Sequence, residues 1–407
     1  MKQGAAKGEV KRRRRTGYYD YNLLAAVIIL ICFGLVMLYS ASAYEASNKF
    51  GNDMYYFGRQ ALISLASVGA ALAISKIDYH ILSKWALHLY VLALILMAMV
   101  RFSPLGVTAG GARRWLNLGI QFQPSEIAKI AVILFLPAVI LKMGRQASRR
   151  KAVLVLLFLG LVQAVGAYEL TDNLSTAVII MAISVVIIFL SHPKTRPFLL
   201  ALVIITAVVG GILAFLYLNV ESTEDFRLSR ILTWFHPEDH PETGGWQVLQ
   251  GLYAIGSGGF FGKGLGNSVQ KLTNIPEAQN DMIFSIICEE LGLFGAILLL
   301  LLFGYLLYRL FFIAQNAPDL YGTLIVSGIF AHIALQVILN VCVVLNVIPT
   351  TGVTLPFVSY GGTSVLFLMG EMGIALSVSR KIRFQDEEVP RKNSVTKNNE
   401  NILTNDG

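Results

Sequence analysis

Residues 282–308 read MIFSIICEELGLFGAILLLLLFGYLLY, an almost unbroken apolar run. About twenty apolar residues suffice to cross the hydrocarbon core of a bilayer, so this stretch is long enough to span one. In lipid every backbone amide and carbonyl must find its partner within the segment, which makes the span a helix. Directly before it stands GSGGFFGKGLGNSVQKLTNIPEAQND, residues 256–281, with six glycines between Gly256 and Gly266. The same segment carries Lys263, Lys271, Glu277 and Asp281. A glycine-rich, charged loop therefore brings two carboxylates to the mouth of a membrane helix, a placement suited to chemistry at a membrane surface.

Working outward, comparable runs recur along the chain. Ten spans are expected, at about 22–42, 56–75, 81–101, 126–143, 152–169, 174–191, 197–218, 282–312, 319–348 and 357–380. Of the 407 residues 55% are hydrophobic and 14% charged, with a mean hydropathy of +0.63. A soluble domain carries about 25% charged residues, so a string of soluble domains is excluded. The expected fold is all-α: a polytopic membrane protein of about ten transmembrane helices and one large extracellular loop at 219–281. The membrane domain is expected over 22–383, between a basic tail (1–21) and a polar, disordered tail (384–407).

Charge sets the expected orientation. Seven of the first fifteen residues are Lys or Arg, ending in Lys11 to Arg15. Such a tail is compatible with nucleic acid, but ahead of a membrane helix it reads as a topology signal, so no nucleic-acid partner is expected. With the N-terminus inside, Lys76, Lys84, Lys142, Arg145, Arg149, Arg150, Lys151, Lys194, Arg196, Arg309, Arg380, Lys381 and Arg383 also fall inside. Every second connection is then basic, and ten spans return the C-terminus to the cytoplasm. The N-terminal apolar run is too long for a cleavable signal. Cys32, Cys288 and Cys342 all lie in apolar runs and read as small buried hydrophobes, without a disulfide or metal pattern.

Several side chains could carry chemistry. Asp281, at the outer mouth of its helix, is the first candidate for a base. Partial burial would raise its pKa, and the helix N-terminus would oppose that shift; helix capping by Asn280 or Asp281 is the plainer alternative. The glycine run is neither a Walker nor a Rossmann pattern, since no strand precedes it. Its amides could cradle a phosphate beside Lys263, or the loop could skim lipid through Phe260 and Phe261. Arg113 and Arg114, in GGARRWLNLGIQFQPSE (110–126), run against the topological bias and fit an anion such as a diphosphate; a solvated turn is the alternative. Arg227 and Arg230 are a weaker pair of the same kind. Glu289, Glu290 and Glu371 lie within spans, where carboxylates must find partners in the bundle. His236 and His240 tempt a metal reading, but Pro237 and Pro241 break the helix that would align them. TTGVTLPFVSYGGTS (350–364) is non-helical backbone between two spans, tolerated at that depth only inside protein or along a cavity.

These residues resemble a known family. IPEAQNDMIF (275–284), EELGLFGA (289–296), PTTGVTLPFVSYGGTS (349–364), RRWLNLG with QPSE, the glycine run and ten spans are similar to the SEDS family of shape, elongation, division and sporulation proteins, over roughly residues 20–383. PTTGVTLPF and PEAQND resemble the division and sporulation members (FtsW and SpoVE types) more than the elongation member RodA. The resemblance implies a peptidoglycan glycosyltransferase. Such an enzyme polymerises lipid II at the outer face of the cell membrane, here expected at the division septum, beside a class B penicillin-binding protein and other divisome proteins. It implies that Asp281 is the catalytic residue. Arg59, Arg113, Arg114, Lys263, Glu277 and Ser359 are the candidate contacts for diphosphate or sugar, with Glu126 and Glu290 in support. No protein metal site is expected, although a divalent cation (Mg2+ or Mn2+) could share the diphosphate's charge. The sequence departs from the family at 172–176: the usual Pro-Asp-Leu-Gly-Thr reads Asp172-Asn173-Leu174-Ser175-Thr176, which puts any role of that acid in doubt. The rival readings are a lipid II flippase, a sporulation-specific polymerase, and a non-catalytic scaffold.

Overall fold

A computed structural model describes residues 18–109, 112–219, 226–239, 244–272, 275–276 and 278–383. Residues 1–17 and 384–407, Glu277, His240 and the side chain of Arg227 lie outside the described residues. Among the described residues nine helices are long and apolar enough to cross a membrane. They are α1 (Tyr21–Phe50), α2 (Tyr55–Ile74), α3 (Tyr79–Phe102), α4 (Pro124–Met143), α5 (Arg150–Thr171), α6 (Leu174–Ser191) and α7 (Arg196–Asn219). Two shorter helices, α8 (Phe226–Phe235) and α9 (Gly245–Gly258), precede the spans α10 (Ile283–Asn316) and α11 (Leu320–Val344). The tenth expected span is the shorter apolar helix α12 (Ser364–Ser379). The chain is thus an all-α polytopic membrane protein.

Local chemistry sets the boundaries. Asp20, Asp78, Asn173 and Asp319 cap α1, α3, α6 and α11, each side chain accepting a backbone amide of the first turn. Pro124 opens α4, where its missing amide costs nothing. α4 and α11 are the most buried spans, whereas the apolar stretch of α7 has no buried residue and faces outward throughout. Small residues bring helices close: Gly160 of α5 lies on Ser184 of α6, and Gly373 of α12 on the Ala71 backbone of α2. Arg309 and Asp20 form a buried ion pair (2.7 Å) that ties the start of α1 to α10. His332 of α11 meets both carboxylate oxygens of Glu371 of α12 at 2.9 Å, deep in the bundle.

Three features differ from expectation. The segment between α3 and α4 is not a plain loop but an antiparallel sheet, β1 (Gly106–Ala109), β2 (Ala112–Asn117) and β3 (Gln121–Phe122), in the order β1-β2-β3. Its strands are too short for a clear period-2 signal. The long segment 219–281, expected as a loop, contains two helices, α8 and α9. Cys32, expected buried, is exposed on α1, while Cys288 is buried.

Candidate functional site

α10 is not one straight rod. Gly292 adopts φ 68°, ψ −168°, a conformation open in practice only to glycine, and divides the helix. At this break the glycine run docks. Leu293 and Phe294 donate their amides to the carbonyls of Gly259 and Phe260 (3.0 Å each), and Lys263 and Gly264 donate to Glu289 and Glu290 (2.9 Å each). The glycines allow the two backbones to approach: a Cβ on Gly258, Gly262 or Gly292 would strike main-chain atoms across the contact. The amides of Gly262, Lys263 and Gly264 are therefore engaged by carbonyls, not presented to a phosphate. Phe260 and Phe261 are exposed beside Phe294.

Two buried carboxylates secure this docking. Glu289 accepts from Lys263 Nζ at 2.7 Å, from Ser268 Oγ, and from the amides of Val269 and Gln270. Glu290 accepts from Lys271 Nζ at 2.6 Å and from Ser40 Oγ of α1 at 2.7 Å. Lys263, expected to face a diphosphate as a point charge, is instead neutralised by Glu289. Glu289, expected to find its partner in the bundle, turns to the loop. Glu290 supports that loop and not the substrate.

Asp281 stands just ahead of α10, half-buried. The N-cap of α10 is Met282, so Asp281 is not the helix cap. Its carbonyl accepts from Asn340 Nδ2 of α11 at 2.8 Å, and Gln247 Nε2 of α9 lies 3.5 Å from Oδ1. Across from the carboxylate runs the segment 350–354. A Cβ on Gly352, itself at φ 69°, would stand 4.0 Å from Asp281 Oδ2 and 3.8 Å from Arg114 Nη1. The carboxylate and the guanidinium therefore both reach within about 4 Å of where a side chain at Gly352 would begin. Arg230 of α8 joins them, with Nη1 3.4 Å from the carbonyl of Thr350. Burial lowers the pKa of both arginines; Arg230 pushes Arg114 further down, and Asp281 pulls both back up.

The arginine pair of β2 is split at a slip in the register: Val107 pairs with Trp115 and Thr108 with Arg113, leaving Arg114 as the extra residue of a bulge. Arg114 turns toward Asp281 and donates to the Asp172 carbonyl at 3.2 Å. Arg113 turns back to α3, donating to the Ser103 carbonyl at 2.6 Å, away from Asp281. Arg59, exposed near the start of α2, donates to Tyr55 Oη at 2.8 Å. It also acts electrostatically on Tyr360, whose amide donates to the Gln279 carbonyl. Ser359 is a correction. It is 2% exposed and its Oγ accepts the Leu355 amide at 2.8 Å, closing a turn, so it offers nothing to a ligand. Glu126 is buried and paired with Lys129 at 2.8 Å on the first turns of α4. His236 stacks on Tyr217. Among the described residues no group of three or more His, Cys, Asp or Glu side chains converges to hold a metal ion.

Sequence reasoning missed Lys129, Gln247 and Asn340, and ranked Arg230 low. A lysine three residues after Glu126 inside a span was a legible sign of a buried pair. Asn340 and Gln247 carried no such sign. At the departure from the family pattern, Asn173 Oδ1 accepts the Thr176 amide at 3.0 Å and caps α6. Asn caps as well as Asp. Asp172, in the left-handed conformation that ends α5, keeps a carboxylate 3.9 Å from Arg101.

The fold and site define a multi-span membrane protein with a carboxylate, two arginines and a glycine gathered at one end of its helical bundle. The chain belongs to the FtsW/RodA/SpoVE family, described as cell cycle protein, whose family model matches residues 21–384. It is 37% identical to stage V sporulation protein E of Bacillus subtilis over 374 residues, covering 90% of this chain and 98% of that one. It is 35% identical to a probable peptidoglycan glycosyltransferase FtsW of Trichlorobacter lovleyi, covering 91% and 95%. Among solved structures it matches a chain from work on structural coordination of polymerization and crosslinking by a peptidoglycan synthase complex (TM-score 0.72, 30% identity, 90% and 99% covered). It also matches the rod shape determining protein RodA of Thermus thermophilus (TM-score 0.64, 29% identity, 90% and 98% covered).

Proposed function

We propose that this protein is a peptidoglycan glycosyltransferase that polymerises lipid II at the outer face of the cell membrane, beside a class B penicillin-binding protein. One observation carries the reading: Asp281 and Arg114 both border Gly352 and are coupled electrostatically, with Arg230 alongside. A base opposite a guanidinium is what glycosyl transfer from a diphosphate requires.

In this reading Asp281 takes the proton from the 4-hydroxyl of the acceptor GlcNAc. The freed oxygen attacks C1 of the donor MurNAc with inversion. The C1–O bond to the diphosphate breaks, and the undecaprenyl diphosphate leaves with its electron pair. Base catalysis of this kind contributes about 10²–10⁴-fold. Arg114 and Arg230 stabilise the departing charge. Arg59 extends the positive path along α2. It lies eleven residues before Ala70, about 20° away around an ideal helix and about 16 Å along it. Ala70 lines an apolar groove of about 320 Å³ with Ile74, Leu89, Ile130, Leu366 and Phe367, shaped for an isoprenoid tail.

The basic connections at the end of the bundle away from Asp281, including Lys142, Arg145 and Arg380, support cytoplasmic termini and an outward site. The similarity to FtsW and SpoVE proteins supports septal wall synthesis in division, with spore formation as the alternative. The test is polymerisation of lipid II in detergent by the protein with its transpeptidase. Glycan chains are expected from the native protein and none from Asp281→Ala. Normal polymer from Asp281→Ala refutes the base. No polymer from the native protein, combined with lipid II translocation in vesicles, makes it a flippase.

A further inference from the structure

We infer that Asn340 is the positioning residue that fixes the distance between the Asp281 carboxylate and the arginines facing it. The inference rests on Asp281 being the base. Asn340 lies on α11 and is fully buried. Its Nδ2 donates to two carbonyls at 2.8 Å each, those of Asp281 and Val353. One hydrogen of the amide goes to each acceptor. The orientation is forced, since the flipped amide would set its oxygen against two carbonyl oxygens. One turn earlier Gln336 Nε2 donates to the Thr354 carbonyl at 3.1 Å. The two side chains hold 353–354 against α11, and Asn340 alone extends the hold to Asp281.

The partner segment is where the site's other ties converge. The Thr351 carbonyl accepts from Ser175 Oγ of α6 at 2.9 Å, the Thr350 carbonyl from Arg230, and the Cβ position of Gly352 is within about 4 Å of both Asp281 Oδ2 and Arg114 Nη1. One amide thus joins the backbone of the base to the backbone of the segment opposite it. An apolar residue at 340 would remove the donor that these two carbonyls share, and their spacing would relax. A misplacement of about 1 Å at a reacting group costs on the order of 10²-fold in rate.

The experiment compares native protein, Asn340→Ala, the isosteric Asn340→Asp and Asp281→Ala, each with the partner transpeptidase. Initial polymerisation rates are measured against lipid II concentration, and hydrogen exchange is followed by mass spectrometry. For both Asn340 variants kcat is expected to fall about 10²-fold with KM within about threefold. Exchange is expected to quicken about tenfold in peptides covering 279–284 and 350–355, with native protection in α3 to α5. A uniform loss of protection would mark general misfolding and overturn the specific role. So would a kcat within about threefold of native for Asn340→Asp while Asp281→Ala is inactive. An inactive native protein refutes the functional reading itself, and this inference with it.

Discussion

Gly292→Ala tests whether the break in α10 holds the loop. At φ 68° an L-residue costs about 1–2 kcal/mol more than glycine. The added Cβ would also lie 2.6 Å from the Phe260 carbonyl carbon and closer still to the Phe260 oxygen and the Gly262 nitrogen. An ordinary contact begins at 3.4 Å, so the Phe260 carbonyl, whose oxygen is its nearer atom, must retreat by about 1 Å. That stretches the bond from the Phe294 amide, now 3.0 Å, beyond hydrogen-bonding range. An amide left without a partner away from water costs about 1–3 kcal/mol, which brings the total to about 2–5 kcal/mol. The control lies on the same helix: a Cβ on Gly304 meets nothing within 4 Å, so Gly304→Ala is expected to be neutral or stabilising by about 0.5–1 kcal/mol. Thermal melting in detergent and hydrogen exchange over 258–266 provide the readouts. A Gly292→Ala protein that melts with Gly304→Ala and keeps native protection over 258–266 would refute the reasoning.

The other predictions concern charge and capping. Lys271→Met leaves Glu290 buried with only uncharged donors and is expected to cost about 3–5 kcal/mol; Lys271→Met/Glu290→Gln should recover much of it in the same melt, and no recovery would count against the pair. Arg114→Gln should depress polymerisation at least about tenfold more than Arg113→Gln, because Arg114 faces Asp281 and Arg113 faces Ser103; equal losses would contradict the split. Lys381, and then His80, hold Asp78 below the ordinary carboxylate range. The folded state thus favours its ionised form, so the stabilisation is present at neutral pH and lost as the pH falls from about 5 toward 2. The group is partly exposed, so the effect is under about 1 kcal/mol; Asp78→Asn should flatten that part of the melting-versus-pH curve. Asn173→Ala should cost about 1 kcal/mol, while Asn173→Asp keeps the cap and leaves polymerisation within about threefold; a large gain with Asp would give the acid a catalytic part.

Spans and connections were legible because hydropathy and charge are local properties. The expected second span, 56–75, and the observed Tyr55–Ile74 differ by one residue at each end. Long-range partnership was not legible. Lys263 and Glu289 are 26 residues apart, and only the docking of the glycine run on the α10 break joins them. The split of Arg113 from Arg114 needed β2, whose strand character is hidden in six residues. Ser359 looked available because Ser beside Gly and Pro reads as a loop, but its hydroxyl serves the loop's own backbone. Arg230 ranked low because nothing in the sequence brings α8 to Thr350.

The charges around Asp281 explain why the arginines, and not the lysines, are the groups to test against an anion. The segment before α10 offers two lysines, and each is met by a buried glutamate on α10, so the docked loop adds no net positive charge. Those pairs position the loop. They do so at the break in α10, eleven residues beyond Asp281, about 16 Å along an ideal helix. The positive charge near the carboxylate comes instead from Arg114 and Arg230, carried by a strand and a short helix that both precede Asp281 but lie far apart in the sequence. A guanidinium stays charged even where burial lowers its pKa, and its planar fork matches two phosphate oxygens at once. An ammonium buried at the same place would be easier to neutralise. Positioning by lysine–glutamate pairs and anion stabilisation by arginine are therefore separate functions, held by different residues, and a variant in one set should leave the other's readout largely unchanged.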